Sequence, residues 1–209
     1  LIADGPTDTN LIPILNWSLK EKGNVALPNG IQAKLGLLPK IPSSLEERMV
    51  KAIEMHPCDL LFVHRDAEGE TMPSRIDEIR RSFGKFSGRI TMPVVAVVPV
   101  RMLEAWLCFD ESAIRNAAGN PNGQSPLNLP TLRQIESKPD PKEDLKKALR
   151  SACELSGRRL KKFDTAAAFW RIVDYIDDFS PLRNLPAFKS FEMSIEKLGQ
   201  NGWRPGFYG

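Results

Sequence analysis

The stretch "DLLFVHRDAEGE", Asp59 to Glu70, constrains this chain more than any other. Leu60, Leu61, Phe62 and Val63 leave no polar face, so the segment predicts a central parallel strand buried on both sides. It ends abruptly in His64, Arg65, Asp66 and Glu68. In open α/β sheets the crevice outside the carboxyl ends of the strands is the usual ligand site, and a rigid strand can aim acidic side chains into it.

The surrounding segments fit such a sheet. "LIA" reads as a strand end, clipped at its start, followed by a tight turn and a helix with Asp8 as N-cap, stopping at Gly23 in a left-handed cap. "NVALPNGIQAKLGLLPKIP" holds one short strand and a loop. "PSSLEERMVKAIEMH" predicts a helix, with Ser43 and Glu46 as a capping box and Leu45, Met49, Val50 and Ile53 as its apolar stripe. "MPSRIDEIRRSFGKF" is a second capped helix, and "MPVVAVVPV" a second strand without a polar face. From Arg101 onward the pattern turns helical in "RMLEAWLCFDESAIRNAAG", "DPKEDLKKALRSACELSG", "FDTAAAFWRIVDYIDDF" and "LPAFKSFEMSIEKLG", with a loop at "NPNGQSPLNLP". The expected architecture is α/β, a small parallel sheet with flanking helices over residues 1–110 and a mainly helical extension over 111–209 packed on it.

A length of 209 residues allows one core with a substantial appendage. No apolar run approaches the ~18 residues of a membrane helix, so no membrane association is expected. Cys58, Cys108 and Cys153 follow no metal-ligand spacing and fit a reducing cytoplasm, and the opening "LIADG" carries no secretory leader. A net charge of +3 is too mild to establish nucleic-acid binding by itself, so the position of the charge matters more.

Three strand ends carry acid. Asp4 follows the first, Asp66 and Glu68 the buried one, and Glu104 the "VVAVVPV" strand. Carboxylates crowded at one sheet edge repel one another unless a divalent cation supplies the opposing charge. Mg²⁺ or Mn²⁺ takes oxygen ligands and joins carboxylates to phosphate, which points to phosphodiester chemistry. Each residue also has a plainer role. Asp4 and Asp8 suit a turn and a helix cap, Asp66 and Glu68 suit a solvated loop beside Arg65 or Arg75, and Glu104 either answers Arg101 or joins the cluster. His64 reads as a hydrogen-bonded structural histidine rather than a catalytic one.

Farther along, Lys142, Lys146, Lys147, Arg150, Arg158, Arg159, Lys161 and Lys162 form a basic run. Such a run is most often a solvated helix face, yet beside a metal site it would hold nucleic-acid phosphates without reading sequence. Lys142, at a helix start, is the candidate for stabilising transition-state charge. Phe163, Phe169, Trp170 and Tyr175 fall mostly at helical spacing and read as core.

"ADGPTD" followed by "LLFVHRDAEG" resembles the TOPRIM domain of topoisomerases, bacterial primases and the overcoming-lysogenization-defect nucleases. "FVHRDAEG", "VPVRMLEAWLCFD" and "IRNAAGNP" together resemble bacterial TOPRIM-like proteins encoded beside ATPases in phage-defence loci. The resemblance implies a Rossmann-like TOPRIM fold and a Mg²⁺- or Mn²⁺-dependent nuclease of DNA or RNA. It also implies an ATPase partner, with a homodimer among the assemblies open to it. Asp4 takes the place of the family's catalytic or metal-binding glutamate, Asp66 and Glu68 the Asp-x-Asp places, and Asp8 a further acidic position of the nuclease branch. Asp4 is one methylene shorter than the family's Glu, and Glu68 one longer than its Asp. That departure supports a second reading, a binding or sensor subunit with a weakened acid set. Phosphoryl transfer of the haloacid-dehalogenase kind is disfavoured, because "LIADGPTD" lacks that family's Asp-x-Asp.

Overall fold

The computed structural model describes residues 1–86 and 88–209, with Pro6 described in its backbone alone. The chain divides into two compact units, Leu1–Val100 with Pro186–Gly209, and Arg101–Leu185. The first unit therefore ends near Val100 rather than after residue 110, and it takes back the C-terminal helix that the sequence pattern assigned to the extension.

The first unit is built on a parallel sheet of β1 (Leu61–His64), β2 (Pro93–Val97) and β3 (Gly206–Tyr208), in the order β1-β2-β3. Ile2 adds a parallel bridge to Val63 on the far side of β1. Every residue of β1 and β2 is buried, as their unbroken apolar runs require. Pro93 is tolerated because it opens its strand. Leu61 pairs with Val94 and His64 with Val97, so the two strands finish level.

Helices α1 (Leu11–Lys22), α2 (Leu45–Met55) and α3 (Met72–Lys85) come from the front of the chain. Side chains alternate along a strand. Leu61 and Val63 join Met49 of α2 and Ile79 of α3 in one core cluster. Phe62 faces the other way, its ring 6.2 Å from that of Phe191.

Several local details differ from expectation for identifiable reasons. A 3₁₀ turn, Pro6–Asn10, precedes α1, and Asp8 lies within it, its carboxylate accepting a hydrogen bond from Gly5 N–H at 2.8 Å. Gly23 ends α1 with φ −95°, so the left-handed conformation is not used. What demands glycine there is space, since a Cβ would sit 2.9 Å from the Leu19 carbonyl oxygen. The cap of α2 is Ser44, which accepts from Glu47 N–H at 3.2 Å, while Glu47 accepts in turn from Ser43. Residues 24–44 form no strand among the described residues, only a 3₁₀ turn at Leu35–Leu37.

The second unit consists of helices, 3₁₀ turns and loops, with no strand among its described residues. It comprises α4 (Glu111–Ala117), α5 (Leu132–Ile135), α6 (Pro141–Ala152), α7 (Gly157–Lys161) and α8 (Thr165–Arg171). The expected long helix from Arg101 is interrupted. Leu103–Leu107 is a 3₁₀ turn, and the chain restarts at α4 because the Asp110 carboxylate accepts from Ala113 N–H at 2.9 Å. Asp140 and Asp164 cap α6 and α8 in the same manner. Trp106, Ile114, Leu149, Phe169 and Phe179 are buried there, whereas Trp170 and Tyr175, expected in the core, are exposed.

The final helix, α9 (Pro186–Gln200), returns to the first unit because Phe188, Phe191, Ile195 and Leu198 make one apolar stripe, which packs on α1, β2 and β3. β3 was not anticipated. Three residues are too few to show a period, and its pairing with a strand more than a hundred residues earlier leaves no local signal.

Candidate functional site

The β1 ladder runs on past the strand's last residue. Arg65 N–H donates to the Val97 carbonyl at 3.2 Å and Ala67 N–H to the Pro99 carbonyl at 3.0 Å. The alternation of faces therefore continues through Ala67, which sends His64 and Asp66 to one face and Arg65 to the other.

On the first face, His64 is fully buried. Its Nδ1 lies 3.0 Å from the Val97 carbonyl oxygen. A carbonyl only accepts, so Nδ1 carries the hydrogen. Nε2 is left facing carboxylates, with Asp66 Oδ1 at 3.3 Å and Asp8 Oδ2 at 3.8 Å, and it makes no aligned hydrogen bond. Asp8 is also buried. Burial raises the Asp8 pKa above the ordinary carboxylate range by more than the nearby His64 and the Gly5 N–H bond lower it, and the charges of Asp66 and Asp4 push it further up. Burial alone would depress the His64 pKa, but the two carboxylates outweigh it and hold the imidazole above its usual value. Two carboxylates thus face one imidazole nitrogen.

On the second face the charges alternate instead. Asp4 Oδ1 accepts from Arg48 at 3.0 Å and from Arg65 at 2.6 Å, and Arg48 also donates to the Ala3 carbonyl. Arg65 reaches Glu78 at 3.1 Å, and Glu78 holds Arg75 at 2.9 Å. The turn after β1 places Glu68 elsewhere. Glu70 N–H bonds the Ala67 carbonyl at 2.8 Å, and Glu68, at φ +50°, stands exposed in that turn. An Asp-x-Glu pair on a straight strand would share a face. The left-handed residue ends that alternation, and the field of Glu68 acts on Arg75.

Of the expected acidic residues, Asp8 and Asp66 are thus brought together, with His64 between them. Asp4 is taken up by two arginines and Glu68 stands at a turn. Among the described residues no three His, Cys, Asp or Glu side chains stand in ready ligating geometry. Glu104 and Lys142 belong to the second unit. There Lys142 Nζ lies 3.2 Å from the buried Glu104 carboxylate, a pairing the sequence did not suggest for either residue. Lys146, Lys147, Arg150, Arg158, Arg159, Lys161 and Lys162 are all exposed. Arg158, Arg159 and Lys161 share the short α7, of which no residue is buried.

The central position of His64 had one legible signal, the spacing of a histidine and an aspartate two apart at a strand end, which the structural reading of the histidine passed over. Arg48 gave none, since its partner Asp4 lies far away in sequence, and for Glu78 only the local pairing with Arg75 was open to view, not the link to Arg65 on another element. No helix among the described residues is long and apolar enough to cross a membrane. Comparison with models of protein families, with curated proteins and with solved structures finds no match to this chain.

Proposed function

We propose that this chain is a divalent-metal-dependent phosphodiester hydrolase of TOPRIM type, a nuclease. The observation that carries the reading is the pair of carboxylates, Asp8 and Asp66, held around buried His64 at the carboxyl edge of a parallel sheet. Like charges in such a place are costly without a cation, and aspartate oxygens suit Mg²⁺ or Mn²⁺. A bound divalent ion would lower the pKa of an attacking water and draw charge from the phosphoryl oxygens. The remaining work falls to the chain itself. Asp8 and Asp66 supply the anionic oxygens, and Asp4 fixes the guanidinium groups of Arg48 and Arg65 at the same edge. Arginines so held present forked donors suited to phosphate. The exposed basic residues of the second unit would grip a nucleic-acid backbone regardless of sequence. Glu104 and Lys142 are assigned to each other rather than to the metal or the transition state.

The biological setting rests on the resemblance. By it the nuclease is an effector of bacterial defence against phage, controlled by an ATPase partner and acting in the cytoplasm. A second reading is a catalytically weak TOPRIM-like subunit of such a complex, favoured by the engagement of Asp4 with two arginines and by the displacement of Glu68 to a turn.

Incubation of the purified chain with supercoiled plasmid and with tRNA, in Mg²⁺, Mn²⁺ or EDTA, separates the two. Cleavage that needs metal and vanishes in Asp66→Ala supports the nuclease. Cleavage indifferent to that substitution would exclude this site, and an inert chain that still binds nucleic acid would leave the subunit reading.

A further inference from the structure

The two carboxylates leave unexplained what the lone pair of His64 is for. With its Nδ1 hydrogen committed to the Val97 carbonyl, His64 turns Nε2 toward Asp66 and Asp8, where either a second proton or a cation can stand between the imidazole and the carboxylates. Ionised carboxylates are acceptors only, so the immediate neighbours offer nothing to donate. Nε2 is fully shielded from solvent and has no aligned hydrogen-bond partner. A buried acceptor facing two anions is a destabilising arrangement unless something positive stands between them.

We infer that His64 Nε2 is itself a ligand, and that with Asp8 and Asp66 it makes a mixed nitrogen and oxygen site for a first-row divalent ion such as Mn²⁺ in preference to Mg²⁺. This rests on the metal-dependent reading above and adds to it a ligand and a metal preference. The geometry supports the step in two ways. Donors about 2.1 Å from one cation lie ~3.0–3.4 Å from each other at octahedral to tetrahedral angles. The Asp66 separation of 3.3 Å lies in that range, whereas the Asp8 separation of 3.8 Å requires its carboxylate to move inward by a few tenths of an ångström. The Nδ1–H bond to a backbone carbonyl is also the usual means by which a ligating histidine is turned and fixed in one tautomer. Imidazole nitrogen then sets the preference, since Mg²⁺ favours oxygen while first-row ions accept nitrogen readily. Asp4 stands outside the set because its Oδ1 already receives both Arg48 and Arg65.

The test uses Mn²⁺ alone as probe and the full chain. The chain has two histidines, so an H56N background makes His64 the sole source of imidazole nitrogen. Pulsed electron paramagnetic resonance of bound Mn²⁺ should show one histidine nitrogen coupling, which changes character when only histidine is labelled with ¹⁵N. Calorimetry should find Mn²⁺ bound at least about tenfold more tightly than Mg²⁺. His64→Gln should abolish the coupling and weaken Mn²⁺ binding ~10–100-fold, and the isotope experiment gives its answer without that substitution should the variant not fold. Mn²⁺ bound without a histidine coupling would overturn the inference and leave the metal reading intact, with a shared proton as the occupant of the gap. Absence of Mn²⁺ binding at millimolar concentration would overturn both.

Discussion

Glu104 with Lys142, and Asp8 and Asp66 with His64, each set a buried acid or base against its counterpart, and they differ in how the charges balance. In the second unit one lysine meets one carboxylate, Lys142 with Glu104 at 3.2 Å, and the lysine keeps part of its surface in water. In the first, two carboxylates meet one imidazole whose only certain hydrogen is already given to the backbone. The lysine pair is complete as it stands. The histidine cluster sets two carboxylates against one base, and groups with such perturbed surroundings mark ligand sites more often than purely structural ones. Asp4, close in sequence to Asp8, belongs with the balanced class, since two arginines share its Oδ1.

The comparison is sharpest at Asp66. Its side chain is partly exposed and, by this account, serves the chemistry rather than the core. Asp66→Asn should lower metal-dependent cleavage by ~100–1,000-fold, the usual scale for losing one charge-stabilising group. Its thermal midpoint should move little. A variant that unfolds without losing specific activity per folded molecule would put Asp66 in the structural class instead.

The balanced pair should behave in the opposite way. Lys142→Met leaves the Glu104 carboxylate buried and alone, a loss of about 2 kcal/mol in denaturant unfolding. Adding Glu104→Gln removes the stranded charge and should return most of that loss. If Lys142→Met abolishes cleavage while stability is unchanged, the lysine acts on the reaction and the pairing is incidental.

Asp4 divides the two possibilities at smaller scale. Asp4→Asn keeps the shape but weakens its hold on Arg48 and Arg65, so cleavage should drop about tenfold, near 1.4 kcal/mol of barrier. A loss as deep as that of Asp66→Asn would return Asp4 to the role its resemblance to the TOPRIM glutamate implies.

These contrasts also explain what the sequence could and could not reveal. β1 and β2 were legible because an apolar run of four or five residues has few other uses, and α2, α3 and α6 because their caps and stripes are local. The acidic strand end was legible for the same reason, Asp66 following a run that had to be buried. The division of the acids was not. It depends on Arg48, forty-four residues from Asp4, on a left-handed residue at Glu68, and on the exact face to which His64 points. The return of α9 and the existence of β3 depend on pairing across the whole chain. Periodicity tells which face of an element is apolar, but not which distant element will cover it.

The smallest effect comes from a third acid–base pair, Glu46 of α2 with Lys85 of α3, remote in role from the site. Lys85 hydrogen-bonds the carboxylate and, more than any other contact, lowers its pKa to about 2. The lysine is well exposed, so solvent screens the pair and its worth is about 0.5–1 kcal/mol. A carboxylate whose folded pKa is depressed stabilises the fold above its unfolded pKa, near 4.5, and loses that contribution as pH falls toward 2. Glu46→Gln should therefore unfold more easily at pH 7 by that amount and match the parent near pH 2, as read from paired urea titrations. The neutral variant would show a flatter stability curve between those limits. An equal deficit at both pH values would mean that Glu46 contributes through packing rather than charge, and the balanced class would then lose its mildest member.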